Sequence, residues 1–323
     1  MKNICKKLFL IFVMALGIIG GSSISDEIIA NAATYPSPSY TYNIFDLVRD
    51  ASKSDNCTKM VPQGITFAGE YLLISACCEE ETKHNSVIYV FNESTKSYYG
   101  TIKLPSTAHV GGVAYDCDRD GNIWVANGAS VGCFKYSKLA DCKGKVLSVA
   151  YNRVAELSYQ ASTMCYDAVN DCLWIAQFDE TDSSNSFARC YKVTDKTTST
   201  PKLPYQFQIS VPLKTQGISV RGDKMMISSS YGRTKDSALY LYTWNQSSKQ
   251  KTPIKDKNNN IKSITLPPLS EGVVMGSTYA YVVYESVSAQ YYATKDKNGN
   301  KCSYPVEYFA AYDIANLYKQ LES

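Results

Sequence analysis

The sequence predicts an all-β chain folded as a single β-propeller of five blades, closed by an N-terminal strand. The first observation is a repeat at roughly 50-residue spacing. Five times a small or polar residue beside glycine or threonine opens a short apolar run: Gln63-Gly64-Ile65, Gly111-Gly112-Val113, Ser162-Thr163-Met164, Gln216-Gly217-Ile218 and Glu271-Gly272-Val273. About a dozen residues later a second run answers each, at 71–75, 122–126, 172–176, 224–228 and 279–283. The second observation is a third strand in every repeat, at 86–91, 132–136, 187–193, 238–244 and 308–313, with alternating aromatic or β-branched residues. Several short strands per repeat and almost no helical periodicity are the pattern of propeller blades.

Fourth strands follow as similar phrases, Thr101-Ile102-Lys103-Leu104-Pro105 and Ser263-Ile264-Thr265-Leu266-Pro267, with weaker versions at 208–212 and 149–157. The fifth repeat has none, because its third strand runs into a helix-like stretch at 314–321. Residues 39–48 have strand character and no blade of their own, so donating them to blade five closes the ring and removes an exposed edge. A six-bladed ring is the alternative if residues 35–60 contain most of a degenerate blade.

The ends divide the chain into three expected regions: a signal peptide at 1–32, a closing strand and linker at 33–60, and the propeller at 61–323. Lys2, Lys6 and Lys7 precede an unbroken apolar stretch at 8–19, and Ala30-Asn31-Ala32 places small residues where a signal peptidase reads. The polar linker before that site resembles a bacterial, Gram-positive export signal. A secreted, extracellular protein is therefore expected. The apolar stretch is too short to span a bilayer comfortably and no second one of about 18 residues follows, so membrane insertion is not expected.

The formal net charge of +3 is too weak to imply nucleic acid as a partner, and no basic block with interleaved aromatics occurs. A monomer is expected. Of eleven cysteines, Cys5 leaves with the signal, and the remainder can pair only if the compartment is oxidising. The blade topology then pairs Cys117 with Cys142, and Cys302 with Cys57 or Cys78. The adjacent Cys77-Cys78 reads either as a strained vicinal disulfide or as two thiols at a strand end. No cysteine pair has Cys-x-x-Cys spacing.

The stretch Asp116-Cys117-Asp118-Arg119-Asp120-Gly121-Asn122-Ile123-Trp124 resembles the inner hairpin of the SMP-30, NHL and YncE-like propeller families. The likeness covers about ten residues strongly and the rest only as repeat rhythm. It implies the propeller fold; members of those families include lactonases with a central metal and proteins of pure binding function. Asp116, Asp118 and Asp120 also match the opening of a calcium loop, the only cofactor the chain suggests, but lack the distal glutamate. The bland alternative is a hairpin turn with solvated tips.

In a propeller the start of the innermost strand and the end of the second lie on one face, around the channel mouth. That geometry gathers Gln63, His109, Gln216, Tyr231, Arg233, Glu271, Tyr284 and Glu285 as ligand-binding candidates. Carboxamides, tyrosines, an arginine and carboxylates suit a polar extracellular ligand, with glycan or cell-wall material favoured by export and by 26 tyrosines. The rivals are a metal-assisted, lactonase-like hydrolase using Glu271 as its catalytic carboxyl, with a divalent metal or Arg233 as electrophile, and a structural or adhesive surface protein. Two plainer readings stand beside these: inner-strand polar groups that only hold channel water, and Arg233 as a tie to Glu271 or Glu285. A loop at 285–307 carrying Tyr291 and Tyr292 is expected to overhang the mouth.

Overall fold

A computed structural model describes residues 35–116 and 121–322. The expected signal peptide, and Cys117, Asp118 and Asp120, lie outside the described residues. From the N-terminal side, β1 (Tyr40–Asn43) precedes blade one, which is β2 (Met60–Ala68), β3 (Tyr71–Cys78), β4 (Val87–Asn92) and β5 (Tyr98–Lys103). Blade two is β6 (Val113–Tyr115), β7 (Asn122–Ala126), β8 (Ser130–Lys135) and β10 (Arg153–Glu156); β9 (Val146–Ser148) leaves it to pair in parallel with β5. Blade three is β11 (Thr163–Asp167), β12 (Cys172–Gln177), β13 (Phe187–Lys192) and β14 (Tyr205–Ser210). Blade four is β15 (Thr215–Arg221), β16 (Lys224–Ser229) and β17 (Ser237–Asn245), whose outer side is shared by β18 (Gln250–Pro253) and β19 (Ile264–Leu266). Blade five is β20 (Ser270–Met275), β21 (Tyr279–Tyr284) and β22 (Tyr308–Asp313), and the helix Ile314–Glu322 follows.

Its fourth strand is β1. Tyr40 pairs antiparallel with Ala311 and Asn43 with Tyr308, so the closure expected from the orphan strand is present. Residues 35–60 hold this strand and two short 3-10 turns rather than a sixth blade. The ring has five.

Each gap between blades is filled by its own apolar cluster, because a strand that alternates sides can serve two gaps at once. In β3, Leu72, Ile74, Ala76 and Cys78 face blade five, while Tyr71, Leu73 and Cys77 face blade two. This parity excludes a vicinal disulfide between Cys77 and Cys78. Every cysteine among the described residues is a free thiol. Cys302 sits beside Ser286, whereas Cys57 and Cys78 face one another, so the expected pairing of Cys302 with either is corrected.

The opening glycines have a steric purpose. At Gly217 an added Cβ would lie 2.6 Å from the Glu271 carbonyl oxygen, and at Gly272 it would lie 2.8 Å from both Gln63 O and Ile65 N. The innermost strands therefore meet backbone to backbone around the axis, a distance only glycine permits. Serines reinforce the same ring: Ser75 Oγ donates to Val110 O at 2.7 Å, and the Ser228 and Ser270 hydroxyls meet at 2.7 Å. Gly272→Ala is expected to push blades five and one apart and to destabilise the chain by about 1–3 kcal/mol, in the range of core overpacking. Urea denaturation measures it, and an unchanged midpoint would mean that the ring is looser than these distances require.

Candidate functional site at the upper mouth

The face on which β2, β6, β11, β15 and β20 begin is the upper one. Pairing slips there between Pro62 and Ile65, between Thr215 and Gly217, and between Ser270 and Val273. A bulge adds an unpaired residue and re-aims its side chain. Gln63, Gln216 and Glu271 are the residues so displaced, one each from blades one, four and five.

Glu271 and Glu285 both come from blade five and lie close enough to interact electrostatically. Glu285, on the 3-10 turn Glu285–Val287, accepts a 2.8 Å hydrogen bond from Gln63 Nε2 across the blade boundary. Both carboxyls are almost wholly removed from water, at 1% and 8% exposure. Burial, with the Glu285 charge adding to it, holds the Glu271 carboxyl protonated well above the usual carboxylate range. Burial also raises Glu285 to about 7, against the restraining bond from Gln63. The mouth thus holds a neutral carboxyl beside one that titrates near neutrality. Gln63 Oε1 and Glu271 Oε1 have no hydrogen-bond partner.

Cys77 and His109 complete the wall toward blade two, with Cys77 Sγ 3.5 Å from His109 Nδ1. The thiol is pushed well up by burial and then by Glu79, and loss of hydration lowers the imidazole. His109 is exposed to solvent, whereas Cys77 behind it is buried at 3% exposure. Both groups are neutral at pH 7, so this pair is not a thiolate–imidazolium nucleophile. Cys77 and Glu79 were not among the sequence candidates, although Cys77 occupies the place after the inner-strand pair in blade one that Glu285 occupies in blade five.

Arg233 is placed differently from its expected role. Its guanidinium donates to Thr294 O at 2.7 Å and to Gln290 O at 3.3 Å, and lies 4.7 Å from the centre of the Tyr291 ring. It pins the 285–307 loop and forms no ion pair with Glu271 or Glu285. Tyr291 is thereby held against the mouth, where the Glu285 charge, then burial, raises its hydroxyl's pKa. Tyr292 turns away to donate to Glu307 Oε1 at 2.6 Å.

Three further candidates leave the centre. Tyr284 is fully buried in the gap between blades four and five, its hydroxyl 2.9 Å from that of Tyr312, which corrects its assignment to the mouth. Tyr231 stands exposed on the rim beside Phe178. Asp116 is a hairpin organiser: its carboxylate accepts from Asn122 N at 2.7 Å, Asn122 Nδ2 at 2.8 Å and Trp124 Nε1 at 3.1 Å. Both oxygens are engaged within the hairpin, as the plainer reading of a hairpin turn expects, and Asp118 and Asp120 of the calcium-loop reading lie outside the described residues.

At the opposite end of the axis a cleft of 180 Å³ is lined by Thr66, Phe67, Tyr115, Tyr166, Arg221 and Met275. None of the buried polar atoms lacking a partner lines it. Chemistry therefore favours the upper end. Among the described residues no helix is long and apolar enough to cross a membrane.

No protein-family model matches the chain, and no curated protein matches it in sequence. Among solved structures it is similar to the hydrazine synthase of Kuenenia stuttgartiensis, at 11% identity and a TM-score of 0.43 over 69% of this chain and 55% of that one. A chain of the mitotic checkpoint complex gives 9% and 0.35 over 70% and 58%. A functionally unknown protein from Desulfotomaculum acetoxidans gives 10% and 0.38 over 70% and 69%. The chain thus spans little more than half the length of the first two, and no functional conclusion attaches to these likenesses.

Proposed function

We propose that this propeller is exported and that its upper mouth binds a polar extracellular ligand, a glycan or cell-wall fragment rich in hydroxyls. The carrying observation is the pair of buried, unpartnered oxygens, Gln63 Oε1 and Glu271 Oε1, aimed from neighbouring blades beside Glu285. Leaving such atoms unsatisfied costs about 1–3 kcal/mol each, which a ligand hydroxyl recovers on entering the channel, directly or through a channel water. A protonated Glu271 donates and Glu285 accepts, so the site offers both halves of a sugar's hydrogen-bonding pattern. Tyr291, held by Arg233, supplies an aromatic face. The likeness of the Asp116 hairpin to SMP-30, NHL and YncE-like propellers fits this reading and extends no further than the hairpin.

A glycan array that includes peptidoglycan fragments, followed by calorimetry on the best binder, tests the proposal. Glu271→Ala or Gln63→Ala is expected to weaken binding about tenfold or more, equivalent to about 1.4 kcal/mol. Arg233→Ala is expected to act indirectly by releasing Tyr291. Loss of binding on altering Asp118 and Asp120, with these variants unaffected, would place the site at the other end of the axis. A second reading, hydrolysis of the same ligand class, is favoured by one observation: Glu271 stays protonated where a general acid must be. It predicts product release that Glu271→Gln abolishes while binding survives.

A further inference from the structure

On the blade-five side of β3, away from the mouth, four side chains from two separated stretches converge. Cys57, from the segment before β2, meets Cys78 at the end of β3, with Glu80 and His84 from the loop that follows. Their ligand atoms all lie within 4.8 Å of one another. His84 Nδ1 is 3.4 Å from Cys78 Sγ and 3.5 Å from Glu80 Oε2. A single ring nitrogen is a poor hydrogen-bond partner for both at once, and the distance to Glu80 is long for one. They match the edges of a tetrahedron built on metal–ligand bonds of about 2.0–2.3 Å, whose edges are about 3.3–3.8 Å. The geometry points to a four-coordinate zinc site made by Cys57 Sγ, Cys78 Sγ, His84 Nδ1 and Glu80 Oε2.

Three features outside the quartet support it. Cys57 Sγ accepts the backbone N–H of Lys59 at 3.3 Å, and Cys78 Sγ accepts that of Glu80 at 3.4 Å. Each sulfur is thus met by an amide two residues on, an arrangement that stabilises negative charge on sulfur and so favours a thiolate ligand. The second carboxylate oxygen, Glu80 Oε1, is held by Thr58 N at 2.7 Å and Thr58 Oγ1 at 2.9 Å, which leaves Oε2 directed at the sulfurs and the imidazole. Such outer partners orient metal ligands and tune affinity. The two sulfurs, 2.9 Å apart, lie beyond a disulfide bond of about 2.05 Å but closer than the edge of about 3.8 Å that two zinc-bound thiolates span, so metal uptake must spread them by nearly 1 Å.

Donor chemistry selects the ion. Two thiolates, one imidazole and one carboxylate suit zinc, whereas calcium and magnesium demand oxygen throughout. On binding, each thiol releases its proton to solvent, so uptake is proton-coupled. The site would staple the stretch between the closing strand and blade one onto β3. Strand parity separates it from the mouth: Cys78 faces the metal and Cys77 faces His109.

The test is cobalt(II) titration of the purified, reduced chain, with zinc as competitor. Tetrahedral d–d bands and thiolate-to-cobalt charge transfer, saturating at one ion per chain and displaced by zinc, are expected. Cys57→Ser combined with Cys78→Ser should abolish the charge transfer, and Thr58→Ala should lower affinity about tenfold or more. Cys77→Ser should change neither. Because the double cysteine variant removes two buried side chains, His84→Gln, at a more exposed position, provides a second reading and should weaken affinity at least as much as Thr58→Ala. Absence of charge transfer in the reduced chain, or an unaltered titration in the His84→Gln and double cysteine variants, would overturn the site.

Discussion

A chain lacking the residues up to and including Val48 is expected to aggregate rather than remain a folded monomer. The truncation removes β1, whose four residues pair with β22, and leaves that strand's backbone groups facing water along a flat edge. It also removes Ile44 and Val48, both buried between blades one and five, and Tyr42, stacked on Phe309 at 4.9 Å. Burial of each such apolar side chain contributes about 1.5–3 kcal/mol, and net domain stability is only about 5–15 kcal/mol. Losing several at once consumes a large share of it. Size-exclusion chromatography with light scattering, beside a thermal melt, decides the matter. A monomer with unchanged melting temperature would show that blade five closes without its donated strand.

The second large effect is a gain. Glu285 carries a carboxyl whose pKa rises from 4.5 to about 7 on folding, chiefly through burial. A raised acid pKa means the folded state holds its proton more tightly than the unfolded chain. Stability is therefore fully present below about pH 4.5 and declines as pH rises toward 7, by about 3 kcal/mol in all. Glu285→Gln keeps an oxygen to accept from Gln63 Nε2 and cannot ionise. The variant is expected to match the parent near pH 4.5 and to be more stable at pH 8 by up to about 3 kcal/mol, several degrees in Tm. Urea melts at the two pH values measure the difference, and equal stability at pH 8 would show that Glu285 is solvated in its charged form. A buried acid that weakens the fold at neutral pH is the stability–activity trade expected of a binding site.

Most of the fold was legible because a propeller writes its steric rule into sequence. The axis admits only backbone, so Gly64, Gly217 and Gly272 recur at equivalent places, and the bulged residue before each becomes a mouth residue. Strand parity was equally available but misapplied at Tyr284, which shares a face with Ala280 and Val282 and so must enter the gap between blades. Arg233 lies in a loop, where no periodicity says whether it reaches the Glu285 carboxylate or the Thr294 carbonyl. The zinc ligands were hidden for a different reason. Cys57 comes from before the first blade and reaches Cys78, Glu80 and His84 only once β2 and β3 have paired, so no short motif announces them.

The strands that meet in blade five come from opposite ends of the chain, and that sets an order of assembly. Blades one to four draw on near neighbours in sequence and can form in succession, but β1 has no partner until β22 exists. Closure is therefore the last step and the most non-local, and until it occurs the chain is an open arc with two unprotected flanks. Seam variants are therefore expected chiefly to accelerate unfolding, and variants in the gaps between earlier blades to slow folding, as measured by the two arms of a chevron plot. On that order the lifetime of the native ring is set at the seam between Tyr40–Asn43 and Tyr308–Asp313, the outer edge of the blade whose inner strands carry Glu271 and Glu285.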